Sequence, residues 1–319
     1  MTGQDRFSAA LRREKIVGHV PHFELVFFLT MEVLGKVHPS HRFYEQWNQM
    51  SMIEKKLQIN DMADIYIDIA KKYHHDAIFV HPNPSDIESV KWLLETIREK
   101  TGNQYFLMMH GDTTCGIPDG DHMMEFTCQM YEEPEKIHEQ QNRWKENAFK
   151  TANELSGKGL LDGFALCSDY SFNVNPFFSP ENFAELIAPH LKETIKTYCD
   201  LGFYTIKHTD GNINPILDQI VDCAPHALHS IDPQGSMVLS DIKSQYGDKI
   251  CCIGNVNCGL LQTGTTEEAA ADVRRSLKEG MSNGYGYIFS TSNCVYTGLD
   301  LSRYELMHDI WQAEGIYKD

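Results

Sequence analysis

The chain has 319 residues, 42% of them apolar, and carries 28 Lys+Arg against 45 Asp+Glu, for a formal net charge of −17. That length and apolar content supply a sizeable core for one large α/β domain or two smaller ones. The acidic balance excludes unspecific binding to nucleic acid or an anionic membrane, because one polyanion repels another.

Nine cysteines, at positions 115, 128, 167, 199, 223, 251, 252, 258 and 294, lack the spacing of a disulfide framework and suggest a reducing compartment. The opening residues contain no apolar stretch of signal-peptide length, and no later run approaches the roughly 20 residues of a membrane span. A cytoplasmic protein is expected.

Short apolar runs alternate with longer amphipathic segments, the pattern of parallel strands covered by helices. The strand candidates, in chain order, are His22–Phe28, Ala77–His81, Tyr105–His110, Gly163–Ser168, Tyr204–His208, Ala227–Ile231, Ile250–Gly254 and Gly286–Ser290. Helical stretches between them include Ile87–Lys100, Glu132–Ser156, Pro180–Leu201, Pro215–Val221 and Thr266–Glu279. Ser179-Pro180-Glu181 places a capping hydroxyl ahead of a proline in the first turn, and Thr265-Thr266-Glu267-Glu268 places acids where a helix N-terminus favours them. Repeated β-then-α units with no Pro/Gly/Ser-rich linker predict a single (β/α)8 barrel across residues 1–319, with an N-terminal helical extension. The competitor is a doubly wound open sheet, but no GxGxxG or GxxxxGK[ST] loop follows any strand.

In a barrel the chemistry belongs at the C-terminal ends of the strands, and polar residues do gather there. The first strand contains Glu24, the third ends in His110-Gly-Asp112, and the fourth is followed by Asp169-Tyr170. The fifth gives His208-Thr-Asp210, the sixth Asp232-Pro233, the seventh Asn255 and Asn257, and the eighth Asn293-Cys294. His208 and Asp210, two positions apart at a strand end, share a face and can converge on one atom.

His208, Asp210, Asp232 and Cys294 offer imidazole, carboxylate and thiolate donors, all accepted by zinc, and form the expected metal site. The bland alternatives are a hydrogen-bonded core histidine at 208, a turn at Asp210-Gly, a turn or helix start at Asp232-Pro, and a packed thiol at Cys294. His74-His75, His122, His226 and His229 lack shared spacing or a strand-end partner and read as structural or surface residues. Glu154 and His190 are zinc-competent but fall in helices outside the barrel, which leaves Asp169 as the site candidate of that set. Phe23, Phe27, Phe28 and Tyr170 are aromatics that could sandwich a flat ring at the barrel mouth.

The chain resembles the uroporphyrinogen decarboxylase superfamily, in its cobalamin-dependent methyltransferase branch. The resemblance rests on Asp5-Arg-Phe-Ser-Ala-Ala-Leu, Val20-Pro-His-Phe-Glu24, Phe178-Ser-Pro-Glu-Asn-Phe183, Lys207-His-Thr-Asp-Gly-Asn212, Asp232-Pro-Gln-Gly, Gly254-Asn-Val-Asn257, Leu261-Gln-Thr-Gly-Thr-Thr-Glu-Glu268 and Gly286-Tyr-Ile-Phe-Ser290. It implies a (β/α)8 barrel. The decarboxylase pattern has an Arg-Gln-Ala-Gly-Arg-Tyr-like segment after the first strand to hold propionates. This chain reads Glu24-Leu-Val-Phe-Phe-Leu-Thr, which points away from porphyrinogen chemistry. In the zinc methyltransferases that alkylate thiols, the fifth strand carries His-x-Cys, an acid follows on the next strand and a Cys sits after the eighth. His208, Asp232 and Cys294 match, and Asp210 stands where Cys would be.

A carboxylate in place of a thiolate makes zinc harder and more Lewis acidic, which suits oxygen substrates. The segment Pro21-His-Phe-Glu-Leu-Val-Phe-Phe is also similar to the first-component methyltransferases of bacterial O-demethylase systems. The resemblance therefore implies a corrinoid-dependent methyltransferase that demethylates a small aromatic methyl ether. The methyl group would pass to the cobalamin of a separate corrinoid protein, zinc would activate the ether oxygen, and Asp169, Glu24 and Tyr170 would assist as proton relay and ring holder. Alternatives are a zinc methyltransferase using methanol, a methylamine or a methylthiol, a lyase or decarboxylase of a non-porphyrin acid, and a catalytically silent binding protein. A homodimer is compatible with each.

Overall fold

The computed structural model describes residues 1–317. The strands, numbered in chain order, are β1 (Gly18–His19), β2 (Ala77–Val80), β3 (Phe106–His110), β4 (Gly163–Leu166), β5 (Tyr204–His208), β6 (Ala227–His229), β7 (Cys251–Val256), β8 (Tyr287–Thr291) and β9 (Ile316–Tyr317). β2 to β8 form one parallel sheet in sequence order, each strand reached by a helical crossover. β2, β4, β7 and β8 are buried along their length, as expected when helices cover one face and the barrel interior the other. β1 pairs antiparallel with β9 and ties the two ends of the chain together.

The eighth position in the ring is filled by the segment expected to be the first strand. Its pairing is reduced to the bridges His22 with Phe289 and Phe27 with Val295. Backbone bonds still close the ring on both sides: Asp76 N donates to His22 O at 2.7 Å and Phe289 N to Pro21 O at 2.8 Å. The ladder fails between the two bridges because Glu24 intervenes. Its Oε2 accepts from Thr291 N at 3.2 Å and from Thr291 Oγ1 at 2.6 Å, so a side chain takes the amide that a backbone carbonyl would otherwise receive.

The N-terminal helix, Gly3–Leu11, is started by a capping box in which Thr2 and Asp5 each satisfy the other's backbone amide. Its Phe7, fully buried, packs edge-on against Phe23 at 5.2 Å and against Phe106 at 4.8 Å, and so seals the end of the barrel opposite the strand C-termini.

Proline explains the main differences in helix boundaries. The expected Glu132–Ser156 helix begins at Pro134, because the residue before a proline is pushed out of the helical region. Glu133 has φ −143°, and a separate helix Met123–Glu132 precedes it. In the expected Pro180–Leu201 helix, Pro189 has no amide to donate one turn back, and the turn Phe183–Ile187 is widened before Ala188–Asp200 resumes.

Candidate metal centre at the barrel mouth

β5 ends at His208, and the chain then turns through Thr209 and Asp210 into Gly211, whose φ is +80° and where a Cβ would come within 2.6 Å of the carbonyl oxygens of Ser171 and Phe172, so only glycine fits. The turn leaves Asp210 Oδ2 beside the His208 ring. Asp169, on the loop after β4, reaches across to accept the Asp210 amide on Oδ1 at 3.0 Å. His208 Nε2 then stands 3.9 Å from Asp169 Oδ1 and 3.9 Å from Asp210 Oδ2. Both separations are too long for hydrogen bonds. Three donor atoms, one from each residue, lie within 4.8 Å of one another, and this is the one His/Cys/Asp/Glu group of that kind among the described residues.

The electrostatics are those of a site lacking a positive charge. Burial, reinforced by the charge of Asp169, pushes the Asp210 carboxyl up to about 7. Burial also holds the His208 imidazole down to about 4, against the opposing pull of Asp169. Asp210 Oδ2 is gripped by the Asn293 amide, while its Oδ1 is buried with no partner. Oδ2 is the oxygen that faces His208, so a buried carboxylate with one unpaired oxygen lies beside a second carboxylate and an imidazole nitrogen, a donor arrangement that suits a divalent cation.

The expected donors divide between this group and its surroundings. His208 and Asp210 are brought together, with Asp169 as the third member. Asp232 is turned to the backbone: Oδ1 accepts from Gln234 N at 2.9 Å and Oδ2 from Gly211 N at 3.1 Å, capping the short Pro233–Gly235 turn and bracing the Asp210 loop. Cys294 borders the group without joining it. Burial first, and then Asp210, push its thiol up to about 11.

Glu24 is bound into the barrel wall through Ser290, Thr291 and His22. Tyr170 is fully buried among Phe178 and Phe183 with its hydroxyl 2.6 Å from Thr114 Oγ1, and so does not present its ring at the mouth. Phe23 lies in the sealed end, and Phe27 packs on Tyr73 and Tyr304. Glu154 pairs with Lys91 outside the barrel, and His190 pairs with His138.

Two features escaped the sequence reading. One is His229, taken as structural or surface, which is fully buried and 2.7 Å from His208. Its signal was strand alignment, since it ends β6 directly opposite His208. The other is a run of rings at the mouth. Phe28 stacks on His41 at 4.4 Å, His41 and His81 each lie 5.8 Å from His38, and His81 lies 4.9 Å from His110. Burial holds His38 and His81 down to about 3 and lowers His110 as well, so these three rings form an uncharged aromatic stretch of the wall. His110 is exposed to solvent yet surrounded by protein, as befits the lining of a concavity. A cleft of about 500 Å³ starts at His110 and Asp112 on the end of β3 and runs outward past Val90, Trp144 and Tyr198; it includes none of the three donors.

Behind the site, Lys207 is fully buried. Its Nζ donates to Asp112 Oδ2 at 2.9 Å and to Ser168 O at 2.8 Å and sits 4.1 Å from the centre of the Tyr170 ring, joining the ends of β3, β4 and β5. Burial raises the Asp112 carboxyl, but Lys207 and Thr114 outweigh it and the net direction is downward. Lys207→Met leaves that carboxylate unpaired. It is expected to cost about 3–5 kcal/mol in denaturant unfolding, and a loss within error of zero would show that the pair does not brace the strand ends.

A parallel α/β barrel with a mixed carboxylate–imidazole group at the C-terminal ends of its strands is thus the class that fold and site define. The uroporphyrinogen decarboxylase (URO-D) family model matches residues 115–313, and the chain belongs to that family. Among solved structures, a methyltransferase from Methanosarcina mazei aligns over 98% of this chain and 99% of its own, with TM-score 0.73 and 18% identity. A β-mannanase from the blue mussel Mytilus edulis aligns over 94% and 93%, with TM-score 0.51 and 7% identity, and shares only the barrel. No protein of curated function matches the sequence.

Proposed function

We propose that this chain is a corrinoid-dependent methyltransferase, taking the methyl group of a phenyl methyl ether and passing it to the cob(I)alamin of a separate corrinoid protein. The observation that carries this reading is the Asp169, His208, Asp210 group at the mouth of a URO-D-family barrel, with two oxygens and one nitrogen aimed at a common point. These three residues would hold zinc, leaving the further position that catalytic zinc sites keep open for substrate. Zinc there supplies a Lewis acid for the ether oxygen, which must otherwise leave as a poorly stabilised phenolate.

The remaining work falls to the chain itself. Asn293 holds the Asp210 carboxylate and Asp169 accepts the Asp210 backbone amide, so both acids are oriented before substrate arrives. The stacked Phe28 and His41, continued by His38, His81 and His110, offer a flat neutral substrate an aromatic wall. That wall carries no arginine fork for carboxylates, which weighs against a porphyrinogen. An oxygen-rich donor set likewise weighs against methylthiols, which prefer sulfur-rich zinc.

Support for a protein partner comes from the rim. Met31, Val37, Phe43, Ile53 and Leu57 after the first barrel segment, and Phe172 and Val174 after β4, are exposed on segments that leave the strand C-termini. The M. mazei structural neighbour bears the name methyltransferase, in keeping with this reading.

The test mixes zinc-loaded protein with a reduced corrinoid protein and a panel of methoxyarenes, following the cobalt spectrum and phenol release together. Loss of the cob(I)alamin spectrum with one phenol released per methyl transferred is expected; an unchanged spectrum across the panel overturns the proposal.

A further inference from the structure

We propose that His229 is a positioning residue that fixes the tautomer of His208, so that the His208 Nε2 lone pair faces Asp169 and Asp210. This rests on the reading of those three residues as a cation site.

The chain of contacts permits one proton arrangement. His229 Nε2 lies 3.1 Å from Thr291 O, and a carbonyl only accepts, so Nε2 carries the hydrogen. His229 is fully buried, and its two ring nitrogens face only a carbonyl and a neighbouring imidazole, with no carboxylate to balance a charge, so the ring is neutral. A neutral ring protonated at Nε2 has its lone pair at Nδ1, and His229 Nδ1 lies 2.7 Å from His208 Nδ1. His208 must therefore donate from Nδ1. Its Nε2 is left unprotonated, 3.9 Å from each of the two carboxylate oxygens.

A histidine free to choose would place its proton on Nε2, toward the carboxylates, and lose its ligating lone pair. The relay from Thr291 O through His229 removes that choice. It spans three strand ends, because His208 closes β5, His229 closes β6 and Thr291 closes β8. A buried partner that holds a ligating histidine in one tautomer commonly contributes about 10–100-fold in metal affinity.

The experiment has two readouts on one set of proteins: wild type, His229→Phe and His229→Gln. In metal-free protein at neutral pH, nitrogen-15 NMR of the His208 ring reports which nitrogen is protonated. In the same samples, competition with a chromogenic chelator reports zinc affinity. Wild type is expected to show the Nδ1–H form of His208 and His229→Phe the Nε2–H form or a mixture, with zinc binding weakened about 10–100-fold. The glutamine variant, whose amide can both accept and donate, is expected to recover part of both signals.

An Nε2–H form in the wild type, or an Nδ1–H form that persists in His229→Phe, overturns the proposal. The wild-type measurement decides the point even if both variants fail to fold. Absence of zinc binding by wild type with the Nδ1–H form intact would sink the cation reading of the site while upholding the relay.

Discussion

His208→Ala and Asp210→Ala proteins are each expected to bind zinc at least about 100-fold more weakly than wild type and to lose methyl transfer to the same or a greater degree. The reasoning starts from what each side chain lacks. Asp210 Oδ1 is buried without a hydrogen-bond partner, and His208 Nε2 makes no hydrogen bond to either facing carboxylate. Of the Asp210 carboxylate, only Oδ2 is bonded in the metal-free fold, to the Asn293 amide. Alanine at 210 removes a carboxyl pushed up to about 7 by its surroundings, so the variant is expected to be no less stable than wild type even as it loses zinc.

That pairing of unchanged stability with lost zinc separates a metal ligand from a structural acid. Asp232→Ala should behave in the opposite way, because its oxygens cap Gly211 and Gln234. It should lower stability by about 1 kcal/mol, as lost caps do, with a smaller effect on zinc. Chelator competition and denaturant unfolding on the three variants check this. Zinc affinity unchanged in both His208→Ala and Asp210→Ala would remove the metal from the site.

Much of this was legible in the chain, and the parts that were not share a cause. The alternation of apolar runs and amphipathic stretches marked every strand that pairs in the parallel sheet, and the His208–Asp210 spacing singled out the pair that meets Asp169, because both depend on residues near one another in sequence. Asp169 was singled out by its place after β4, but its convergence with His208 depends on how far one loop leans over the next, and no periodicity encodes that. Asp232 shows the converse. An acid before a proline satisfies a metal pattern and a capping pattern equally well, and the amides of Gly211 and Gln234 decided for the cap. Glu24 sat on a strand-like run, yet its carboxylate bonds across the ring to Thr291, so one buried acid converted an expected strand into two bridges. His229 was missed because its partner lies on a neighbouring strand, at a register that only pairing reveals.

The buried imidazoles give the second large effect, a steep loss of stability in mild acid. His38 and His81 are held down to about 3 by burial, and His75 is driven well below the ordinary value by burial and the neighbouring His22. Each stays neutral in the folded protein across the range in which an unfolded histidine, near about 6.5, takes up a proton. Between those two values the unfolded state binds more protons, so stability rises with pH and falls as pH drops through about 6.5.

The loss continues until the folded-state values are reached, near 3 for His38 and His81. Near pH 5 three such groups together cost about 4 kcal/mol for each pH unit, against a typical total of about 5–15 kcal/mol, so unfolding is expected on modest acidification. Paired carboxylates such as Asp112, held low by Lys207, begin to lose their contribution only as pH falls through the carboxylate range, and so do not produce a slope at pH 6. Urea unfolding at pH 7.5, 6.0 and 5.0 measures the slope, and replacing His81 with phenylalanine should reduce it by about one histidine's share. A stability flat from pH 7.5 to 5.0 would mean that these rings take up protons as readily in the folded protein as in the unfolded one, and in mild acid the wall facing the proposed methoxyarene would be cationic.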